Sequence, residues 1–487
     1  MAVSFFFHTF AAMKQALCLL LLILLAPIVR AGNRMKYPGG KQFMYRLTLS
    51  DKKESTYRLD HPTRWLSQKS IERRRRQGIA LDSTDLPVSP KYLKIINSQQ
   101  NVSIVGKSRW NNTVVVHTSD TSTLQHLQTL PFVKKVELVW VSPDSIDKKL
   151  PKFRMHERFN PWDSVKQEQY GNGKEQIESL SGQRLHAIGF RGKGITIAVL
   201  DGGFQNVNRI QAFKNVKIDG IRDLVWHNPE TPHPENPDDQ IYYETDHGTR
   251  VLSAMAANEP DVLTGTAPDA HYWLIRCEDQ ATEQPVEEDY WAMAAELADS
   301  AGADIINSSL GYNEYDAPHR KLQLRDLDGR STLISRTASM LAGKGIILVN
   351  SAGNMGMGPW KKICVPADAH EMLTVGAVNP QGRNAPFTSV GPTQDGRVKP
   401  DVVAIGSPAI LISGRGTVVR DMGTSFSAPI ICGLVACLWQ GLPKKNAIDI
   451  ISLVRKTSNN HEAPDNIYGY GKPNFWRAYM IGKLEDE

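Results

Sequence analysis

Gly423-Thr424-Ser425-Phe426-Ser427-Ala428-Pro429 decides the reading of this chain, because the apolar run from Ile430 to Trp439 follows it directly. That run has the length and composition of a buried helix, and Ser425 stands at its mouth. A serine there sits among backbone N–H groups without intrahelical partners, at the positive end of the helix dipole. Such a setting suits a developing oxyanion. Gly423 is read as permitting a tight turn before the serine, and Pro429 as falling in the first turn, where its missing N–H costs little. Thr424 and Ser425 can equally cap a core helix, so this stretch alone does not establish chemistry.

Two further segments tip the balance. Ile195-Thr196-Ile197-Ala198-Val199-Leu200 is short, β-branched and largely apolar, as expected of a parallel strand buried on both faces. It ends in Asp201-Gly202-Gly203, which places a carboxylate at the carboxyl end of a strand, where open α/β sheets hold their active sites. His247-Gly248-Thr249 then opens a run of small and apolar residues to Ala257, the pattern of a tightly packed helix with histidine at its entry. An acid, a base and a nucleophile thus occur in the order Asp201, His247, Ser425, which is the chain order of the subtilisin triad.

On these residues the chain resembles a subtilisin-type serine peptidase (subtilase), and closely the secreted subtilases of Bacteroidetes bacteria. Asp201-Gly202-Gly203, His247-Gly248-Thr249 and Gly423-Thr424-Ser425 are similar to the family's three catalytic segments. Ile305 to Gly311 resembles its substrate-binding strand, and Ile347 to Asn354 the strand that carries its oxyanion asparagine. Thr374 to Val378, Phe387 to Pro392 and Lys399 to Ala404 resemble framework segments. The chain departs from the pattern at Gly202, where Ser or Thr is common, at Arg250, where a second His is frequent, and at Ile405-Gly406, in place of Pro-Gly. None of these removes a reacting group.

The resemblance implies a subtilisin-like three-layer α/β fold with a parallel central sheet, and a serine endopeptidase acting on protein or peptide substrates. Ser425 is the implied nucleophile, His247 the base, Asp201 its orienting carboxylate and Asn354 a side-chain oxyanion donor. Ser309, Leu310 and Gly311, with Ser351, Ala352 and Gly353, are the implied walls of the pocket for the residue before the scissile bond. A cis peptide bond is implied at Val365-Pro366. The chemistry requires no cofactor. Relatives frequently bind calcium, but no segment here spells out such a loop, so metal stays unassigned. The other reading is a catalytically silent, subtilase-shaped binding protein, against which all four functional side chains are present. An α/β-hydrolase esterase is disfavoured because the order of the three residues is wrong and Ser427 replaces the second glycine of its serine motif.

The N-terminal third reads as export and inhibition. Residues 1–31 form a signal peptide: Lys14 precedes an apolar run from Leu17 to Val29, and Val29-Arg30-Ala31 supplies a small-residue cleavage pattern. The run is too short for a comfortable membrane span, so no transmembrane anchor is expected. Residues 40–142 alternate strands and helices as a ferredoxin-like α+β unit, with a helix over His61–Gln77 and a shorter helix or strand approach at Tyr92–Ser98. This unit resembles the inhibitory prodomain of subtilases. Residues 143–174 read as the linker with the processing region, and 175–482 as the catalytic domain, which places the enzyme in a secreted or surface compartment.

Charge divides along the same boundary. Residues 32–150 carry 21 Lys and Arg against 10 Asp and Glu, whereas residues from 151 onward carry 34 against 41. A basic prodomain is thereby steered onto an acidic enzyme. The Arg73–Arg76 run is read as a solvated helix face, and no nucleic-acid partner is expected. Cys432 and Cys437 lie five apart on one helix, a poor arrangement for bonding each other, and are read as buried free thiols.

Overall fold

The computed structural model describes residues 34–147, 169–229, 231 and 234–486. The signal segment 1–31 and most of the 143–174 linker lie outside the described residues.

The N-terminal unit is an antiparallel sheet of β1 (Phe43–Leu49), β2 (Ser103–Ser108), β3 (Thr113–Thr118) and β4 (Val133–Val141), in the order β2-β3-β1-β4. Alternation of side chains gives each face of β1 a different partner. Tyr45, Leu47 and Leu49 pack with Tyr92, Ile96 and Leu127, from the unit's own helices. Met44 and Arg46 point the other way, toward the rest of the chain. The helix expected over His61–Gln77 is shorter. Ser67 accepts a hydrogen bond from the Ser70 N–H and starts α1 at Gln68–Arg76, and Pro62–Arg64 forms only a single 3-10 turn. The sheet is instead covered by α2 (Pro90–Asn97) and α3 (Thr123–Thr129).

The second sheet is parallel throughout. It comprises β5 (Thr196–Asp201), β6 (Lys217–Asp223), β7 (His271–Arg276), β8 (Ile305–Ser308), β9 (Ile347–Ser351), β10 (Leu373–Val378) and β11 (Val402–Ile405). The spatial order is β11-β10-β9-β8-β5-β7-β6. The chain runs outward from β5 and returns to β8 on its other side, so the topological switch lies between these two strands. That is where such sheets open a crevice at their carboxyl ends. Every residue of β5 is buried, and its two faces join different cores. Ile197 and Val199 pack with α4 (His247–Ala256), α6 (Thr424–Gly441) and α7 (Ala447–Lys456). Ala198 and Leu200 pack with α5 (Val286–Ala301). These are the three layers the sequence implies. α6 is long and apolar enough to cross a membrane, but it is a core helix with almost all of its length buried.

The N-terminal sheet lies on α5, and there the expectation of a solvated Arg73–Arg76 face fails for half the run. Arg73 and Arg74 are each only 2% exposed. Both pair with Asp299 near the end of α5: Arg74 approaches it at 2.6 Å and also reaches Asp85 at 3.0 Å. Arg109 adds a third guanidinium at 2.5 Å, and Arg46 grips Asp289 through two nitrogens at 2.7 and 2.5 Å. Burial would push the Asp299 carboxyl up, but Arg73, Arg74 and Arg109 together outweigh it and hold it at about 2. The cations also satisfy the carboxyl end of the helix, where carbonyls lack partners and the dipole is negative. Arg73 donates to the Ala303 carbonyl at 2.6 Å and Arg109 to that of Glu296 at 3.2 Å. Arg75 remains exposed, paired only with Glu72.

Candidate active site

Asp201 ends β5 and is fully buried, and His247 opens α4 with about a third of its side chain exposed. The imidazole Nδ1 lies 2.8 and 3.0 Å from the two Asp201 carboxylate oxygens. A carboxylate can only accept, so Nδ1 carries the proton and Nε2 is left to act as a base. Burial favours the neutral ring, yet the Asp201 charge and hydrogen bond outweigh it and raise His247 to about 9, with Glu278 adding to the effect and Arg250 opposing it. Arg250 itself is held by Asp246 at 2.9 Å and Asp421 at 2.6 Å, so this departure from the family pattern serves to tie α4 to the loop before α6.

Ser425 is the second residue of α6 and nearly buried. The helix begins at Thr424, which corrects the placement of Pro429: it lies inside the helix, beyond the first turn. A residue there would donate its N–H to the carbonyl four residues back, which is that of Ser425. The proline removes that bond, and the Ser309 hydroxyl takes its place at 2.8 Å. In return the Ser425 hydroxyl donates to the Ser309 carbonyl at 3.2 Å. The structure therefore joins Asp201 to His247 and Ser425 to Ser309, with Phe426 beside the imidazole at 5.7 Å between ring centroids. Gly423 has φ 165°, extended backbone that any residue adopts, so the tight turn expected of it is absent.

Asn354 follows β9, and its Oδ1 accepts from the Thr424 N–H at 2.9 Å and from the Thr424 hydroxyl at 3.0 Å. A backbone N–H can only donate, which fixes the amide oxygen on that side and leaves Nδ2 free to donate elsewhere. The expected pocket walls are adjacent. Asn350 donates to the carbonyls of Leu310 at 3.1 Å and Ser351 at 2.7 Å, linking the 309–311 and 351–353 segments. A Cβ at Gly311 would stand 2.9 Å from Cys364 Cβ, and one at Gly353, where φ is +105°, would stand 2.7 Å from its Sγ. The buried thiol of Cys364 therefore separates the two walls. Asn350 and Cys364 went unnoticed in the sequence, although each adjoins a segment that was singled out. The peptide bond at Val365–Pro366 is cis, as the resemblance implies, and so are four other X-Pro bonds.

The remaining cysteines are Cys277, Cys432 and Cys437, all buried and free like Cys364. Among the described residues no group of three or more His, Cys, Asp or Glu could hold a metal ion, so no donor set here fits calcium and no step is derived through it.

Two family models match this chain. The model described as Subtilase family covers residues 192–471, and that described as Peptidase S8 propeptide domain, Bacteroidota, covers residues 44–153. The chain belongs to the subtilase family, the subtilisin class of serine endopeptidases, and carries that family's propeptide domain. Among curated relatives, Subtilisin NAT of Bacillus subtilis subsp. natto is 27% identical over 54% of this chain and 60% of its own length. The subtilisin-like protease SBT6.1 of Arabidopsis thaliana is 27% identical over 57% of this chain, and the human membrane-bound transcription factor site-1 protease 26% over 63%. The chain spans only 24% and 27% of those two proteins. Of solved structures, the prenylagaramide maturation protease PagA aligns over 62% of this chain and 98% of its own, with a TM-score of 0.46 and 22% identity.

Proposed function

We propose that the chain is an exported precursor of a serine endopeptidase that hydrolyses protein or peptide substrates through Asp201, His247 and Ser425. His247 Nε2 takes the Ser425 proton as Oγ attacks the substrate carbonyl, and later returns a proton to the leaving amine. Asp201 holds the tautomer this requires and stabilises the imidazolium. The tetrahedral oxyanion is met by Asn354 Nδ2 and the Ser425 N–H, one of the unpartnered donors at the start of α6. The substrate backbone adds as a strand along 309–311, with its side chain between that segment and 351–353. Rotation about the Ser425 Cα–Cβ bond carries the hydroxyl from the Ser309 carbonyl toward the imidazole.

Residues 1–31 direct export, 40–142 inhibit the enzyme by docking on α5, 143–174 contain the processed bond, and 175–482 carry catalysis. The observation that supports this most is the 2.8 Å bond between His247 and Asp201 at the carboxyl end of the central strand. A fluorophosphonate probe is expected to label wild type and not Ser425→Ala. Equal labelling of the two would refute the assignment.

A further inference from the structure

The departure at Gly202 has a physical cause beside the triad. A Cβ at position 202 would overlap the Glu278 carboxylate and stand 2.7 Å from Gln280 Nε2. Gly202 therefore makes room for an acid that follows β7, next to Asp201. Glu278 is only part-buried, and its one hydrogen-bond donor is Gln280 Nε2, at 2.6 Å. Glu283 is also part-buried, and Glu287 is fully buried and takes N–H groups from Asp279 at 2.7 Å and Gln284 at 3.2 Å. Among the described residues no Lys, Arg or His stands within ion-pair distance of Glu278, Glu283 or Glu287, whereas Asp289 and Asp299 on the same helix as Glu287 are each paired.

Two independent observations identify what these acids face. The Tyr312 hydroxyl is buried and has no hydrogen-bond partner, and Tyr312 directly follows the 309–311 segment along which substrate is expected to lie. Burial, then the charges of Glu287 and Glu278, push its phenol up, which places the orphaned oxygen in the field of these acids. The other observation concerns the first peptide this cleft meets, the chain's own processing region. Residues 148–158 read Lys-Lys-Leu-Pro-Lys-Phe-Arg-Met-His-Glu-Arg, with five cationic side chains against one carboxylate.

We infer that Glu278 and Glu283 form, with the Tyr312 hydroxyl, a subsite that selects a lysine or arginine two to four residues before the scissile bond. The inference rests on the reading of Ser425 as the nucleophile and names the substrate class of that same site. A cationic side chain brings donors and positive charge to carboxylates that have acceptor capacity and no counter-ion, and its ammonium or guanidinium can also donate to the Tyr312 oxygen. The empty site is strained in the expected direction. Burial, then the Asp201 charge, raises Glu278 to about 7, and burial, then Glu278, does the same for Glu283.

The test is a positional-scanning peptide library offered to the full chain after it has been allowed to process itself, with kcat/KM read for each fixed residue. Wild type is expected to favour Lys or Arg over Glu at one or more of these positions by at least about tenfold. Glu278→Gln and Glu283→Gln are each expected to reduce that ratio severalfold, through KM, while a neutral peptide is cut by Glu283→Gln as fast as by wild type. A wild type that cuts neutral peptides with no preference for a basic residue would overturn the subsite and leave the serine mechanism standing. The same holds if the preference survives both substitutions. A wild type that neither cuts any peptide nor takes the fluorophosphonate label would overturn the mechanism and the subsite with it. Glu283→Gln keeps the test open if Glu278→Gln fails to fold, because the Glu283 carboxylate makes no bond within the described residues.

Discussion

Helices α5 and α6 cover opposite faces of one sheet and are buried for opposite reasons. Every residue of α6 from Thr424 to Trp439 is buried, and from Phe426 onward they are almost all apolar or small. α5 buries Glu287, Glu288, Asp289, Glu296 and Asp299, a composition no permanent core helix would carry. Three of these acids are covered by the N-terminal unit: Asp289 by Arg46, Asp299 by three arginines, and Glu296 by the Ser108 hydroxyl at 2.5 Å and the Trp110 N–H at 3.0 Å. Water can replace such partners when the N-terminal unit leaves, whereas nothing in water replaces the neighbours of α6. The face a propeptide must vacate is thus charged, and the face that holds the nucleophile is greasy and fixed.

The largest expected effect tests whether the two helices do separate jobs. Ser425→Ala should lower turnover by about 10⁶-fold, the loss measured when a subtilisin triad serine is removed. The N-terminal unit should dock unchanged on α5, visible as an uncleaved precursor with undiminished melting temperature. Loss of docking in this variant would join the two helices functionally and break the comparison. On the other helix, Asp299→Ala strands Arg73, Arg74 and Arg109 in a buried site. Removing one partner from a buried pair costs about 3–5 kcal/mol, so the propeptide should inhibit the processed enzyme roughly 10²–10³-fold less well. Titration of the enzyme with added propeptide measures this. An unchanged inhibition constant would mean that the arginines only fill space.

Much of this was readable from residue order. The strand ending in Asp201 and the helix after Ser425 announce themselves by continuous apolar runs, because a parallel sheet buried on both faces leaves no alternation to read. Arg73–Arg76 misled for a complementary reason. Four consecutive arginines look solvated unless a counter-charge is known to meet them, and Asp299 is more than two hundred positions away. Pro429 misled through the register of the helix. Its effect depends on whether α6 starts before or after Ser425, and a boundary cannot be placed within one turn by composition alone. Gly202 was seen as a departure, but its cause is Glu278, brought beside it only by the pairing of β5 with β7.

The pH profile sharpens the comparison on the α6 side. A base must be neutral to accept the serine proton, and Asp201 raises His247 from 6.5 to about 9. Activity should therefore rise with pH, with the acid limb of kcat/KM displaced well above 6.5 toward an alkaline optimum. Glu278 contributes to that rise, so Glu278→Gln should move the limb to lower pH on a neutral peptide. For stability the sign is reversed. The Asp201–His247 pair contributes fully below the unfolded histidine pKa of about 6.5, and its contribution declines as pH rises through the folded value. An acid limb at 6.5 in wild type, unmoved by Glu278→Gln, would show that the carboxylates do not act on the imidazole.

The smallest effect concerns the bond that sets the nucleophile. Pro429 strips the Ser425 carbonyl of its helical donor, and the Ser309 hydroxyl supplies another at 2.8 Å. Ser309→Ala should then leave a buried carbonyl unsatisfied and cost about 1–3 kcal/mol. The loss is best read as a lowered melting temperature in a Ser425→Ala background, where self-processing cannot intervene. Pro429→Ala restores an N–H aimed at the same carbonyl, so Ser309→Ala should cost measurably less when combined with it than alone. Contacting residues give such coupling energies of about 0.5–3 kcal/mol in double-mutant cycles. Equal cost in both backgrounds would mean that the helix does not recover its bond, and that Ser309 was not standing in for it.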